Sequence, residues 1–388
     1  MTEIRDAPRV LQFCHGYDGP FLDCARQYAN LFDGTPYRAT TVYLTGKADD
    51  DVARESNSDE VFFLGETSRS VRGLKFGAIR KLRRIIADSR FDFCIAHRFK
   101  PIHIALLATR LPVIGVHHAF GDYRRMTRKL FARAYHSRLR LLGVSDAVRD
   151  DLRASLGWPA AHIETLYNRM EFTVVRAEQL TRHEARAALG LPPNAWIIGN
   201  AGRLHPDKDQ ATLIAAFAYA LPRLPAGSLL VIMGSGRLEK DLKARITELG
   251  IASSVRFLGQ VPMGRRYFKA FDAFALSSDH EPFGMVLLEA MAADVPVLCS
   301  DCGGGREVVK RVAGRLFPFG DAKALAQCLV DLASGTHADA SGKHIRQRLE
   351  AHFSLEAGRA VFWRLPMLSG FIPERPSASF PAQPELPC

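Results

Sequence analysis

Short apolar runs alternate along the chain with longer stretches whose apolar positions fall three and four residues apart. In the first half the runs lie at 10–14, 41–44, 61–64, 91–96, 113–116, 139–144 and 163–167. Runs of that length between helical patterns predict buried parallel strands joined by helical crossovers. A polar stretch from Arg176 to Asn194, broken by Pro192-Pro193, interrupts the pattern. It restarts with runs at 196–201, 228–233, 255–258, 273–276 and 295–299. Two consecutive arrays predict an α/β protein with two Rossmann-like, doubly wound domains and a ligand at the strand C-termini. The expected boundaries are 1–178 for the first domain, 185–352 for the second, and 366–388, with six prolines and no periodicity, as a flexible tail.

A length of 388 residues agrees with two cores, and 47% hydrophobic content excludes a mostly disordered chain. No segment approaches the roughly 20 consecutive apolar residues of a spanning helix. Glu3 and Asp6 stand where a secretory signal would be apolar, so a soluble, cytoplasmic protein is expected. Seven cysteines, odd in number and widely scattered, do not form a disulfide framework. Cys299 and Cys302 make a CxxC without a second pair, which predicts buried or incidental thiols.

The formal charge of +11 is unevenly placed. Residues 69–140 hold 18 of the 52 Lys and Arg and only three acids, Asp88, Asp92 and Asp122, for a local net of +15. The remainder, with 34 bases and 38 acids, is slightly acidic. Segments 69–86 and 123–135 interleave bases with Leu, Phe, Ile or Tyr at helical spacing. Each alone is equally a surface helix with a solvated basic face. Their shared location favours a patch that meets an anionic membrane surface. No recognition motif accompanies it, so nucleic acid is not expected as a partner.

Candidate chemistry lies at the predicted strand ends of the second half. Gly202-Arg-Leu-His-Pro-Asp-Lys-Asp209 follows the run 196–201, and Arg203 and Lys208 there are placed to grip a diphosphate. A solvated loop with Asp209 as a helix cap fits equally. Gly234 and Gly236 end the next strand, permitting close approach of a ligand or simply a tight turn. After the run 273–276 comes Ser277-Ser-Asp-His-Glu281-Pro-Phe283-Gly284-Met-Val-Leu-Leu-Glu289-Ala-Met-Ala. Gly284 opens an apolar helix whose first N–H groups, at Gly284, Met285 and Val286, form an anion site. Glu289 lies within that helix, flanked by Leu287, Leu288, Ala290 and Met291, and a carboxylate so placed needs a hydroxyl or cation.

This order of motifs, with Val255-Arg-Phe-Leu-Gly and Gly303-Gly-Gly-Arg-Glu, resembles retaining glycosyltransferases of family 4, group 1, whose fold is GT-B. The resemblance covers residues 196–310 well, and Glu281 and Glu289 are its strongest signature. His15-Gly16-Tyr17-Asp18-Gly19, His117 and Gly143-Val-Ser145-Asp resemble the family more loosely. Asp294 and Gly305 depart from it, standing where glycine and proline are usual. The resemblance implies two domains facing a central cleft, with a helix at 353–365 crossing back to the first. It implies a nucleotide-sugar co-substrate, expected to be a UDP-sugar, and no metal or other cofactor. Arg203, Lys208, Met285 and Val286 are then expected around the leaving diphosphate, where charge develops, and Gly202 and Gly234 elsewhere in the donor site. Glu289 is expected at the ribose, Glu281 at the transferred sugar, Phe283 and Gly284 in the donor site, Gly16 and Gly19 at phosphate or acceptor, and His117 at the transferred sugar. A structural histidine is the alternative for His117, and an internal salt bridge for Arg306 and Glu307.

The implied activity is hexosyl transfer to a glycan or glycolipid acceptor in bacterial lipopolysaccharide core assembly, on the cytoplasmic face of the inner membrane. The competing readings are a GT-B phosphorylase or sugar-nucleotide epimerase, and a basic membrane- or nucleic-acid-binding scaffold without turnover.

Overall fold

A computed structural model describes residues 7–19, 21–87, 89–335 and 342–372. The first sheet contains β1 (Arg9–Cys14), β2 (Arg38–Thr45), β3 (Glu60–Glu66), β4 (Phe93–His97), β5 (Val113–His117), β6 (Leu139–Gly143) and β7 (Ile163–Thr165), in the order β3-β2-β1-β4-β5-β6-β7. The second contains β8 (Ile197–Ala201), β9 (Leu229–Met233), β10 (Val255–Gly259), β11 (Ala273–Leu276), β12 (Val297–Ser300) and β13 (Arg315–Phe317), in the order β10-β9-β8-β11-β12-β13. All pairings are parallel. Each sheet reverses its strand order once, at β1/β4 and at β8/β11. There the following loops diverge and leave a crevice at the strand C-termini.

The burial explains why the strands were visible as apolar runs. β4, β5 and β9 are buried at every position because helices cover both faces of the sheet. The edge strand β3 alternates between covered and open positions. The three-residue edge strand β13 had no predicted counterpart, because Arg315–Phe317 offers too short a run to stand out.

The chain divides into two compact units, residues 1–169 with 355–388, and residues 170–354. The first boundary therefore falls earlier than the expected 178. The helix Phe172–Ala177 belongs to the second unit, where Phe172 and Val175 are buried. Met170 and Phe353, near the two ends of that unit, are tied by a backbone bond of 2.8 Å. The polar stretch after Arg176 is likewise not a simple break. Thr181 and Glu184 form a capping box for the helix Arg182–Ala188. Arg186 on it is buried against Asp272 at 2.8 Å and the carbonyls of Ala270 and Pro193.

The helix Leu355–Arg364 is part of the first unit. Trp363 is 4% exposed, stacks on Tyr37 and donates to the Leu31 carbonyl at 2.9 Å. Gly358 is required beneath it, because a Cβ there would collide with the buried side chain of Arg169. The expected tail does not start at 366. Met367, Leu368, Phe371 and Ile372 are buried, and the Met367 N–H donates to Glu164 at 2.9 Å. The rest of that segment, 373–388, lies outside the described residues.

Trp363→Ala should destabilise the first unit by about 3–5 kcal/mol, read in urea unfolding of the full chain. A loss below about 1 kcal/mol would show that the returning helix is peripheral.

Candidate functional site

In the second unit the loops after β8 and β11 meet at the point where strand order reverses. Lys208 Nζ lies 2.7 Å from Glu281 Oε2, with both side chains largely buried. Ser278 Oγ donates to the same oxygen at 3.3 Å. Ser277 Oγ holds the Lys208 and Asp209 carbonyls at 3.0 and 2.9 Å, and the Asp279 N–H binds the Asp207 carbonyl at 3.0 Å. The two loops are thus one hydrogen-bonded body. Among the described residues Lys208 has no second acceptor and Glu281 Oε1 has no donor. The ammonium keeps two N–H groups for an anion, and the carboxylate keeps one oxygen for hydroxyl donors.

The glycines after β12 fix where this loop runs. A Cβ on Gly303 or Gly304 would collide with the carbonyl of Glu281 or Pro282, and the Gly304 N–H donates to the Glu281 carbonyl at 2.8 Å. Gly284, with φ of 96°, is the turn that admits the helix Met285–Ala292. The first N–H groups of that helix, including Met285 and Val286, have no intrahelical acceptor. Glu289 is half-buried on it. Phe283 faces inward, 2% exposed and edge-on to Phe353, so its side chain supports the loop and does not line a binding surface.

Arg203 is exposed, 3.5 Å from Asp207. It is not held beside Lys208 as a second fixed cation. Gly202 and Gly234 serve each other. The Gly202 N–H donates to the Met233 carbonyl at 2.9 Å, and a Cβ on Gly234 would collide with the Gly202 carbonyl. The tight-turn reading of Gly234 is therefore the one the backbone supports. Arg306 pairs with Asp301, as the salt-bridge alternative required. Asp294 adopts the left-handed conformation in which glycine was expected, and Arg346 Nε and Nη2 hold its carboxylate at 3.0 and 2.5 Å.

In the first unit His117 ends β5 with no exposed surface, and its Nδ1 lies 2.7 Å from Asp122 Oδ2. A carboxylate only accepts, so Nδ1 carries the hydrogen. Nε2 has no partner among the described residues and is left as an acceptor. Arg128 bonds Asp122 Oδ1 at 3.2 Å, and the hydrogen bond from His117 together with the charges of Arg128 and Arg98 holds the Asp122 carboxyl below its ordinary range despite burial. Gly16 is needed because a Cβ would press on Thr45 Oγ1 at 2.7 Å, whereas Gly19 turns in the open with φ of 59°. Sequence reasoning missed Asp122, Ser278 and Gly303–Gly304. Only the glycine run carried a signal, and its use depends on a loop 20 residues earlier.

The basic region 69–140 separates into two populations. Arg138 donates to the carbonyls of Leu106, Thr109 and Leu111, Lys81 pairs with Glu66, and Arg128 pairs with Asp122. Others stay in solvent on the helices Phe76–Ala87 and Met126–Ala134, including Arg80, Arg84 and Arg133. Exposed Leu74, Phe76, Met126 and Leu130 accompany them, each more than half exposed.

Residues 181–344 match the family described as glycosyl transferases group 1, and residues 37–170 match glycosyltransferase family 4. The chain is 30% identical over 277 residues to a phosphatidyl-myo-inositol mannosyltransferase of Mycolicibacterium smegmatis, covering 68% of each protein. It is 33% identical over 150 residues to the lipopolysaccharide core biosynthesis glycosyltransferase LpsE of Rhizobium meliloti, covering 38% of this chain and 43% of that one. Among solved structures it superposes on Anabaena Alr3699/HepE in complex with UDP and glucose, with TM-score 0.72 and 20% identity over 91% of this chain and 97% of that one. It superposes on the apo lipopolysaccharide outer core galactosyltransferase WaaB with TM-score 0.68 and 19% identity, over 93% and 99%.

Replacing Asp122 by Asn should turn His117 from a single Nδ1–H tautomer into a mixture containing Nε2–H, read in imidazole nitrogen shifts at neutral pH. An unchanged tautomer would show that Asp122 does not set the direction of this side chain.

Proposed function

The chain belongs to glycosyltransferase family 4, group 1, with the GT-B fold of two Rossmann-like domains, and from that premise we propose a retaining hexosyl transfer from a UDP-sugar to a glycan or glycolipid acceptor. The observation that carries the reading is the Lys208–Glu281 pair beside the start of the helix Met285–Ala292. Lys208, the helix end and the guanidinium of exposed Arg203 oppose the charge that grows on a departing diphosphate. Glu281 Oε1 receives sugar hydroxyls and Glu289 the ribose. In the first unit His117 is fully buried and bonded to Asp122, so its role is to fix the end of β5. The cations and helix end take the part that a divalent metal plays elsewhere, so transfer proceeds without one.

The donor assignment draws on HepE, which binds UDP with glucose. The acceptor class draws on the phosphatidyl-inositol acceptor in the name of the mycobacterial relative and on the lipopolysaccharide roles of LpsE and WaaB. A cell-surface glycolipid of the lipopolysaccharide core type is the proposed acceptor, met at the cytoplasmic face of the inner membrane. No helix among the described residues is long and apolar enough to cross a membrane. Association is instead assigned to the exposed bases with Leu74, Phe76, Met126 and Leu130. Apolar side chains entering the interface add to roughly 1 kcal/mol of attraction per base.

A panel of UDP-, GDP- and ADP-sugars with excess EDTA tests the donor reading. Turnover with a UDP-sugar, unaffected by EDTA and retaining the anomeric configuration, is expected. Inversion, loss on chelation or a GDP-only preference would contradict it. For the membrane reading, Leu74→Ser and Phe76→Ser combined with Arg80→Glu and Arg84→Glu should weaken binding to anionic vesicles at least roughly tenfold. Undiminished binding would remove this surface from the account.

A further inference from the structure

The two thiols of Cys299-Ser-Asp-Cys302 have separate surroundings. Cys299 lies in β12 with no exposed surface and donates to the Ser300 carbonyl at 3.3 Å. It also accounts for Gly305, which stands where proline was expected, because a Cβ there would press on Cys299 Sγ at 2.8 Å. Cys302 is half-buried at the N-cap of the helix Gly303–Arg311, where its side chain makes no cap bond. Its Sγ instead lies 2.9 Å from the carbonyl oxygen of Ser278, on the loop that carries Glu281. A carbonyl only accepts, so the thiol donates.

Ser300 Oγ donates to the same oxygen at 2.5 Å. Both hydrogens are therefore engaged by Ser278, and the 3.4 Å approach of Ser300 Oγ to Cys302 Sγ carries none. Two donors from the turn after β12 thus fix the direction of one carbonyl. From Ser278 the constraint passes to the carboxylate, since Ser278 Oγ donates to Glu281 Oε2 at 3.3 Å. At the other end of this short turn the Gly304 N–H holds the Glu281 carbonyl at 2.8 Å. Burial, with the charges of Glu281 and Asp279 adding to it, raises the Cys302 thiol above its ordinary value. The sulfur therefore keeps its hydrogen, and stays a donor, at physiological pH.

We propose that Cys302 is a positioning residue for glycosyl transfer, its thiol setting, through the Ser278 carbonyl, where the Glu281 carboxylate points. The inference rests on the reading above in which Glu281 Oε1 receives hydroxyls of the donor sugar. Cys302 acts through Ser278 and Glu281 and not on the sugar itself. Without its S–H the Ser278 carbonyl keeps the bond from Ser300, so no buried acceptor is stranded. The carbonyl is then free to turn about that single bond, and the Ser278 hydroxyl and Glu281 Oε1 follow it. The charge of Glu281 is unchanged and Ser277 still holds the Lys208 carbonyl, so the grip on the nucleotide persists while the sugar is misaligned.

Hydrolysis of UDP-glucose by the full chain without acceptor, alongside UDP affinity from titration calorimetry, tests the assignment. Cys302→Ala should lower kcat about tenfold while UDP affinity stays within about twofold of wild type. Cys302→Ser, whose hydroxyl also donates, should recover most of that loss. In a Glu281→Gln background Cys302→Ala should slow the reaction no further. Equal rates for wild type and Cys302→Ala would overturn the proposal, as would Cys302→Ser being as slow as Cys302→Ala. A loss that persists in the Glu281→Gln background, or one matched by a fall in UDP affinity and melting temperature, would assign Cys302 to the fold alone and overturn it too. If wild type turns over no nucleotide-sugar, the transfer reading fails. Crystals of Cys302→Ala then decide whether Cys302 positions Glu281: a displaced carboxylate is expected, and an unmoved one would contradict it.

Discussion

The second unit depends on one ion pair between two loops that are 73 residues apart in sequence, Lys208 with Glu281. Both groups are largely removed from water, so removing either partner strands the other charge at a cost of about 3–5 kcal/mol. The pair is held by Ser277 and Ser278 from one side and by Gly303 and Gly304 from the other. The serines contribute hydroxyl donors, and the glycines are there because backbone must approach backbone. Charge, glycine placement and the turn into the helix Met285–Ala292 are consequences of one requirement. A cation and an acceptor oxygen must be fixed side by side at the point where the sheet reverses.

The first unit solves a different problem with the same topology. Its strand ends carry four histidines, His15, His97, His117 and His118, and a few well-placed charges. His117 is directed by Asp122, which Arg128 in turn secures. His97 and His118 stack, and burial keeps both rings neutral. The basic excess of this unit therefore has three uses: half-buried scaffolding by Arg138, orientation by Arg128, and an exposed face shared with apolar side chains.

Most of the fold was legible because parallel strands covered on both faces must be apolar throughout, and these runs stand out against helical crossovers. Strand β13 and the helix Arg182–Ala188 were not, since one is too short for a pattern and the other buries an arginine by pairing it with Asp272. The domain boundary was misplaced by the same polar stretch. In the candidate site, motif order alone singled out Glu281, Glu289 and Lys208, and the structure brings Lys208 and Glu281 together. Their pairing was not legible, because sequence does not show that Lys208 reaches Glu281 while Arg203 turns to solvent. Phe283 was adjacent to the chemistry in sequence but faces the core. Asp122 gave no signal, because a lone acid in a basic segment reads as ordinary surface charge.

The central claim is that Glu281 prepares Lys208 to receive the diphosphate. A double-mutant cycle on UDP affinity, using Lys208→Met, Glu281→Gln and the combination, measures that coupling directly. The account predicts that Glu281→Gln weakens UDP binding only when Lys208 is present, with a coupling of about 1–3 kcal/mol. Strictly additive losses, with Glu281→Gln equally costly in the Lys208→Met background, would contradict it.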